Sequence, residues 1–367
     1  MKKIRVALAT EFLEQYGGAQ KTLEAIAELY PDAPIFTAKY CKKKQSDLIN
    51  SRKIIAPKGG LMSKSFFLFR MAPIFEGFDF SQYDLIISDG TTWNKGILTK
   101  PDQLHISYIH TPPRFLYGYS QEGVKWQKFP LIYSYITNLL RMWDFVAAQR
   151  PDFLVTNSQE TRKRIRKFYR RDATVIYPPV DVDFVPTEPK KPINPTFIAV
   201  GRLARYKNFD LLIEAFNKLE MPLTIIGTGN DENRLKKLAK KNIKFLGHAS
   251  EDTKHQYMKN CLGLINTVDD EDFGIVPIEV ASHGKPVLAH GSGGHLESVV
   301  EGITGMYFYD RSVEGLMGAI QNFEKAIHEN KFDSEIIKQH AGKFSKSRFQ
   351  NEFRQFVQDR AAEKFGL

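Results

Sequence analysis

Short runs of apolar and β-branched residues alternate with longer stretches of helical periodicity along nearly the whole chain. IRVALAT (4–10), APIFTA (33–38), DLIISD (84–89), HISYIH (105–110) and DFLVTN (152–157) read as strands. TFIAVG (196–201), LTIIG (223–227), IKFLG (243–247), LGLINT (262–267) and PVLAHG (286–291) form a second series. Continuous apolar strands separated by helices imply parallel sheets covered on both faces. The count fits two doubly wound α/β units, although a barrel shares the pattern.

The two series are divided by YPPVDVDFVPTEPKKPINPT (177–196), which carries Pro178, Pro179, Pro186, Pro189, Pro192 and Pro195. This density excludes helix and marks an extended connector. We therefore expect a first domain over 1–180 and a second over 181–345. In the closing segment, 346–367, Phe349, Phe353 and Phe356 are spaced as one helix face. No internal sequence repeat accompanies the likeness of the halves.

Size agrees with two domains, since 367 residues exceed what one core usually serves. Cys41 and Cys261 are the only cysteines, which excludes a disulfide framework or a cysteine metal site and suits a reducing cytoplasm. Arg5 and Glu11 interrupt the N-terminal apolar run, so it reads as a strand rather than a signal peptide. FPLIYSYITNLL (129–140), between Lys128 and Arg141, is apolar but shorter than the ~20 residues a bilayer span needs. The net charge of +10 favours polyanions without choosing among nucleic acid, anionic lipid and phosphorylated substrates.

Open α/β sheets bind ligands beyond the carboxyl ends of their strands, so the loops there carry the candidate chemistry. After the first strand come Gly17 and Gly18 and then a helix from about Ala19, a plain turn or a place where backbone N–H groups meet a phosphate or sugar. After 105–110 comes His110-Thr-Pro-Pro-Arg114, a capped strand end or a histidine facing a crevice. Gly201-Arg202-Leu-Ala-Arg205-Tyr-Lys207 opens the second series. There Arg202 offers a planar fork and Lys207 a compact charge to phosphate oxygens, and a solvated basic loop is the bland alternative. Gly227-Thr-Gly229 is a glycine turn. In EDFGIVPIE (271–279) Gly274 permits a tight turn, and Pro277 suits a first helical position, which would place Glu279 in the first turn. HGSGGHLESVVEGITG (290–305) predicts another helix start near Gly294. Together these loops occupy strand ends of both expected domains, where a cleft between them would lie.

GGAQ, HTPPR, GRLARYKN, EDFGIVPIE and GSGGHLESVVEGITG, in this order, resemble the motifs of the family 4 retaining glycosyltransferases, over essentially the whole chain. The resemblance implies the α/β GT-B fold, with two Rossmann-like doubly wound parallel-sheet domains facing each other across a cleft. It implies transfer of a sugar from a nucleotide-sugar donor with retention at the anomeric carbon. HTPPR with EDFGIVPIE is similar to bacterial mannosyltransferases of O-antigen and capsule assembly. That suggests GDP-mannose as donor, a UDP-sugar as second choice, and a saccharide or polyprenyl-diphosphate-linked acceptor. Carried over position by position, Arg202 and Lys207 match the diphosphate-holding pair. Glu271 lies near the donor sugar, Glu279 on the ribose hydroxyls, and His110 beside the transferred sugar. Gly17 and Gly18 match the loop near the phosphates and acceptor, and the backbone of Phe273, Gly274 and Ile275 would meet sugar hydroxyls. No cofactor and no metal are expected. The site would act in the cytoplasm or at the inner face of the plasma membrane. The sequence departs from the common pattern in Gln20, where Glu is frequent, and in LINTVDD before Glu271.

Three other features carry weaker readings. Asp270-Glu-Asp272 matches a DxD metal motif, yet it overlaps the glutamate element and basic residues already fill the phosphate role. TRKRIRKFYRR (161–171) holds seven positive charges, suiting a solvated face or an anionic membrane surface more than nucleic acid. KSFFLFRMAPIF (64–75) reads as core under a loop or as a segment dipping into a membrane interface. The rival functions are a nucleotide-sugar epimerase or phosphorylase on a similar scaffold, and a non-enzymatic polyanion binder that leaves the paired glutamates unexplained.

Overall fold

The structure, a computed structural model, describes residues 4–15, 17–57, 67–118, 130–188 and 193–366. Lys64 and Phe66 of the aromatic segment, Lys128, and Pro189 and Pro192 of the connector lie outside the described residues. The described chain forms two compact units, one of 4–118, 130–179 and 346–366, the other of 180–345.

The first unit holds a seven-stranded sheet: β1 (Val6–Leu13), β2 (Ile35–Tyr40), β3 (Ile54–Ile55), β4 (Leu85–Gly90), β5 (Leu104–Ile109), β6 (Phe153–Thr156) and β7 (Thr174–Val175). Its order is β3-β2-β1-β4-β5-β6-β7, and every pairing is parallel. The second unit holds β8 (Phe197–Val200), β9 (Leu223–Ile226), β10 (Ile243–Gly247), β11 (Gly263–Asn266), β12 (Val287–His290) and β13 (Gly305–Phe308). These form a parallel sheet in the order β10-β9-β8-β11-β12-β13. Both units are thus Rossmann-like and doubly wound, and all ten strands expected from the pattern are present. The three additions escape pattern reading for local reasons. β3 and β7 are two-residue strands at the edges, and β13 is a four-residue strand that begins at Gly305, three residues after Gly302, and runs into a polar turn.

Each strand order reverses once, at β1/β4 and at β8/β11. Successive loops diverge there and leave a crevice above the strand ends. Side chains alternate across the first sheet. Leu8 faces a cluster with Ile26, Tyr108 and Val155, whereas the small Ala7 and Ala9 leave room on the other face for Phe36, Phe75, Phe80 and Trp93. Met71 and Phe75 are fully buried, so the C-terminal part of the 64–75 segment is core. The helix Lys346–Phe365 belongs to this unit. Its buried row is Phe349, Phe353, Val357 and Ala361, at steps of four, and the first two rings stack 5.6 Å apart. Phe356 stands beside that row and packs on Phe153 instead.

In the second unit the Gly227 turn supports the loop after β8. An added Cβ at Gly227 would meet the Gly201 carbonyl oxygen at 1.9 Å, and Leu203 N–H donates to the Thr228 carbonyl at 2.9 Å. Among the described residues no helix is long and apolar enough to cross a membrane.

Candidate active site

In the first unit the reversal point gathers residues from β1, β4 and β5 around a cavity of about 320 Å³. Gly17, Gln20, Asp89, Thr91 and His110 line it. Parallel pairing sets Asp89 beside Tyr108, so the residue two positions beyond, His110, leaves the end of β5 next to the end of β4. His110 Nε2 lies 2.9 Å from Asp89 Oδ1, and both side chains are largely buried. Tyr108 holds the imidazole edge-on at 5.3 Å between centroids. The helix that follows the glycine pair runs Gly18–Leu29, one residue earlier than its sequence suggests. Gly17 is extended, and an added Cβ would meet only Gln20 Oε1, at 3.6 Å. Chain geometry therefore does not require glycine there.

Glu11, which the sequence did not single out, organises the opposite wall. Its carboxylate accepts from the backbone N–H groups of Thr91, Thr92 and Trp93 and from Thr91 Oγ1 at 2.8 Å. Lys95, 1% exposed, anchors the same loop by donating to the Thr91 carbonyl at 3.1 Å and pairing with Asp144 at 2.5 Å.

In the second unit the reversal point brings the loops after β8 and β11 together. Lys207 Nζ donates to Glu271 Oε2 at 2.7 Å, with less than a fifth of either side chain exposed. Burial disfavours the Lys207 ammonium, but Glu271, helped by Tyr206 and Asp272, outweighs it and lifts the pKa above the ordinary lysine value. Thr267 Oγ1 contacts the Lys207 and Asn208 carbonyls at 3.1 Å, and Asn208 Nδ2 donates to Asp269 at 2.9 Å. These bonds tie the lysine loop to the glutamate loop. Arg202 is exposed, with its guanidinium 3.2 Å from the Tyr206 hydroxyl.

The glycines at 293 and 294 back the Glu271 turn. Gly293 has φ +57°, and an added Cβ would stand 2.5 Å from the Glu271 carbonyl oxygen. Gly294 N–H donates to that oxygen at 2.8 Å. The helix expected near Gly294 is a single turn, His295–Ser298, too short to carry a macrodipole of consequence. His295 is fully buried. Its Nδ1 lies 3.0 Å from the His290 carbonyl, which can only accept, so Nδ1 carries the proton. Burial pushes its pKa down to about 4, and Nε2 has no hydrogen-bond partner among the described residues.

The helix after Phe273 runs Ile275–Ala281 from Gly274, which has φ +91°. Pro277 is therefore its third residue rather than its first, and Glu279 lies beyond the first turn. Glycine in the left-handed region starts the helix earlier than the proline signal indicates. Phe273 is buried against Phe344, at 5.3 Å between ring centroids. Glu279, 4% exposed, accepts from Lys254 at 3.1 Å. His255 and His283 approach at 2.8 Å beside it, and burial with the neighbouring His255 pushes His283 down to about 4. Glu251, His255 and Glu279 bring ligand-type atoms within 4.8 Å of one another, but the Lys254 ammonium already pairs with both carboxylates. Asp270 and Asp272 join no such group among the described residues.

The expected residues thus form two sets: Gly17, Gly18 and His110 in one unit; Arg202, Lys207, Glu271, Phe273, Gly274, Ile275 and Glu279 in the other. Sequence reading missed Glu11, Asp89, Asn208, Thr267 and His295. Asp89 had a signal, because it ends an expected strand next to the strand that ends at His110.

Residues 184–340 match the family model described as Glycosyl transferases group 1. The chain is 34% identical over 160 residues to Alpha-1,3/1,6-mannosyltransferase ALG2 of Dictyostelium discoideum, covering 36% of this chain and 37% of the relative. It is 30% identical over 196 residues to the Mus musculus GDP-Man:Man(3)GlcNAc(2)-PP-Dol alpha-1,2-mannosyltransferase, covering 45% of this chain and 39% of the relative. Such matches span half or less of these relatives' lengths. Among solved structures, sucrose-phosphate synthase from Thermosynechococcus elongatus superposes with a TM-score of 0.74 at 15% identity, over 97% of this chain and all of that one. Anabaena Alr3699/HepE in complex with UDP and glucose gives 0.70 at 18% identity, with 97% and 100% covered. The strand orders and these superpositions make the fold that of the GT-B glycosyltransferases.

Proposed function

We propose that the chain is a retaining glycosyltransferase that moves mannose from GDP-mannose to a lipid-linked saccharide. The observation that carries this is the Lys207–Glu271 pair at the β8/β11 reversal point, inside the region matching the group 1 family. The mannose and lipid-linked parts rest on the names of the relatives. A place in cell-surface polysaccharide synthesis rests on the motif resemblance alone.

Cleaving a sugar–phosphate bond builds negative charge on the departing diphosphate and positive charge at the anomeric carbon. Lys207 and the exposed Arg202 supply fixed cations to the first. Glu271, held by Lys207, presents a carboxylate toward the sugar, where an ionised glutamate accepts hydroxyl hydrogen bonds. The turn at Gly274 offers backbone N–H groups that have no intrahelical partner. Glu279 stands ready to take ribose hydroxyls in place of Lys254. In the other unit Asp89, 2.9 Å from His110, orients the imidazole at a cavity that we assign to a saccharide. Retention follows from substitution on one face of the sugar, with a diphosphate oxygen taking the acceptor proton.

The test is a thermal-shift series with GDP, UDP, GDP-mannose and UDP-sugars, since a ligand of the native state raises Tm by mass action. It is followed by NMR of the product formed on a polyprenyl-diphosphate saccharide. Stabilisation by GDP over UDP and an α-linked product support the reading. No transfer with any donor overturns it, and interconversion of free UDP-sugars without acceptor identifies an epimerase.

A further inference from the structure

The helix Pro130–Ala147 carries one face that no described residue of its unit covers. Leu131 is 86% exposed, Tyr135 67% and Met142 60%, and Leu139, Phe145 and Val146 are exposed with them. Steps of four, four, three and four from 131 to 146 place these side chains on one stripe. Among the described side chains of this helix, the other exposed ones are the uncharged Ser134 and Asn138. The helix does contain charges, but both turn away from the stripe. Arg141 donates to the Leu116 carbonyl at 3.0 Å, and Asp144 is buried against Lys95 and the Tyr117 hydroxyl. Trp143 anchors the opposite face on Trp93, 5.2 Å between ring centroids.

A row of cations stands at one end of this stripe. The helix Gln159–Tyr169, its cap Arg170 and the following Arg171 contain seven basic residues, most of them engaged. Arg162 and Arg166 both fork onto Asp172, Arg164 is buried against Glu160, and Arg171 binds the Ala148 and Pro151 carbonyls. Lys167 and Arg170 are exposed and have no acidic partner among the described residues, and Lys163, one turn before, reaches Glu160 only at 3.7 Å. Gln149 Nε2 donates to the carbonyls of Phe145 and Tyr169 at 3.0 and 3.1 Å. That bond sets Arg170 at the end of the apolar stripe.

We infer that this face is an interfacial membrane-docking surface that lays the 130–147 helix into an anionic leaflet. An uncharged stripe with an aromatic flank suits the boundary of headgroups and acyl chains, and exposed lysine and arginine beside it suit anionic lipid. Exposed Lys167 and Arg170 beside the stripe give an anionic leaflet a charge complement that an apolar protein interface would leave unused. The inference rests on the lipid-linked-acceptor reading for its purpose, but its test is independent of transfer.

The experiment is co-sedimentation of the full chain with phosphatidylglycerol-containing vesicles and with pure phosphatidylcholine vesicles, at low and high salt. We expect binding to the anionic vesicles that weakens with salt and falls at least ~10-fold in Leu131→Asp/Met142→Asp at unchanged Tm. Lys167→Glu/Arg170→Glu should lose the preference for anionic over neutral vesicles. If the double aspartate variant does not fold, Met142→Gln alone takes its place. Absence of binding by the unaltered chain, or equal binding by the stripe variant, overturns the inference. A dimer in sedimentation equilibrium that the stripe variant dissolves also overturns it, because the face is then an interface between copies. A chain that binds vesicles but transfers no sugar refutes only the proposed function, and one that transfers sugar without binding refutes only the docking surface.

Discussion

Lys207 and Glu271, 64 positions apart, meet at 2.7 Å. A residue expected on the diphosphate and one expected at the sugar are thus a single electrostatic unit before any donor arrives. The binding roles we propose for them would be coupled through this contact.

Substitution should reveal the coupling. Lys207→Met and Glu271→Gln should each lower kcat by ~10²–10³-fold. The double variant should lose clearly less than the product of the two, since residues in contact are not additive. Steady-state kinetics of the four proteins check this, and strictly additive losses would disprove the coupling.

Asp89 should act through His110. Asp89→Asn keeps the shape but weakens the hold on the imidazole 2.9 Å away. A kcat loss of ~10-fold or more with KM nearly unchanged is expected, together with a shifted pH profile. Asp89→Glu should recover part of the loss if positioning is the role.

Gly293→Ala places a Cβ 2.5 Å from the Glu271 carbonyl oxygen at a backbone φ of +57°. Strain of this kind costs ~1–3 kcal/mol, so Tm should fall by several degrees. Nucleotide affinity should fall with it, because the Glu271 turn must move. Calorimetric titration with GDP measures the second effect.

Acid should destabilise the second unit through His295. Its pKa is about 4 in the folded chain against an ordinary 6.5, so the unfolded state binds the proton first. The contribution is fully present above pH ~6.5 and is lost as pH falls through the window down to about 4, reaching about 3 kcal/mol. His295→Gln should flatten that part of the stability–pH curve, read by denaturant unfolding at a series of pH values.

Chelation should leave transfer unchanged. In the proposed site Arg202 and Lys207 are the cations assigned to the diphosphate, and Lys254 pairs with both carboxylates of the one candidate metal cluster among the described residues. Turnover measured with EDTA and with added magnesium checks this, and loss of activity restored by magnesium would contradict it.

Most of the scaffold is a local property of the chain. Ten strands announce themselves as short apolar runs, because strands buried on both faces leave no polar positions to interrupt them. The loops that carry Gly17, His110, Arg202, Lys207 and Glu271 are likewise legible, since chain order alone places them after those strands. The contacts among those loops are not local, and no periodicity encodes them. Strand register puts Asp89 beside His110, the packing of the β8 and β11 loops closes Lys207 onto Glu271, and the glycines at 227 and 293 acquire their purpose only from the backbone pressed against them. The basic run at 161–171 makes the same point about charge. Its composition is visible in sequence, but which cations remain available depends on Asp172, Glu160 and the carbonyls that the fold brings within reach.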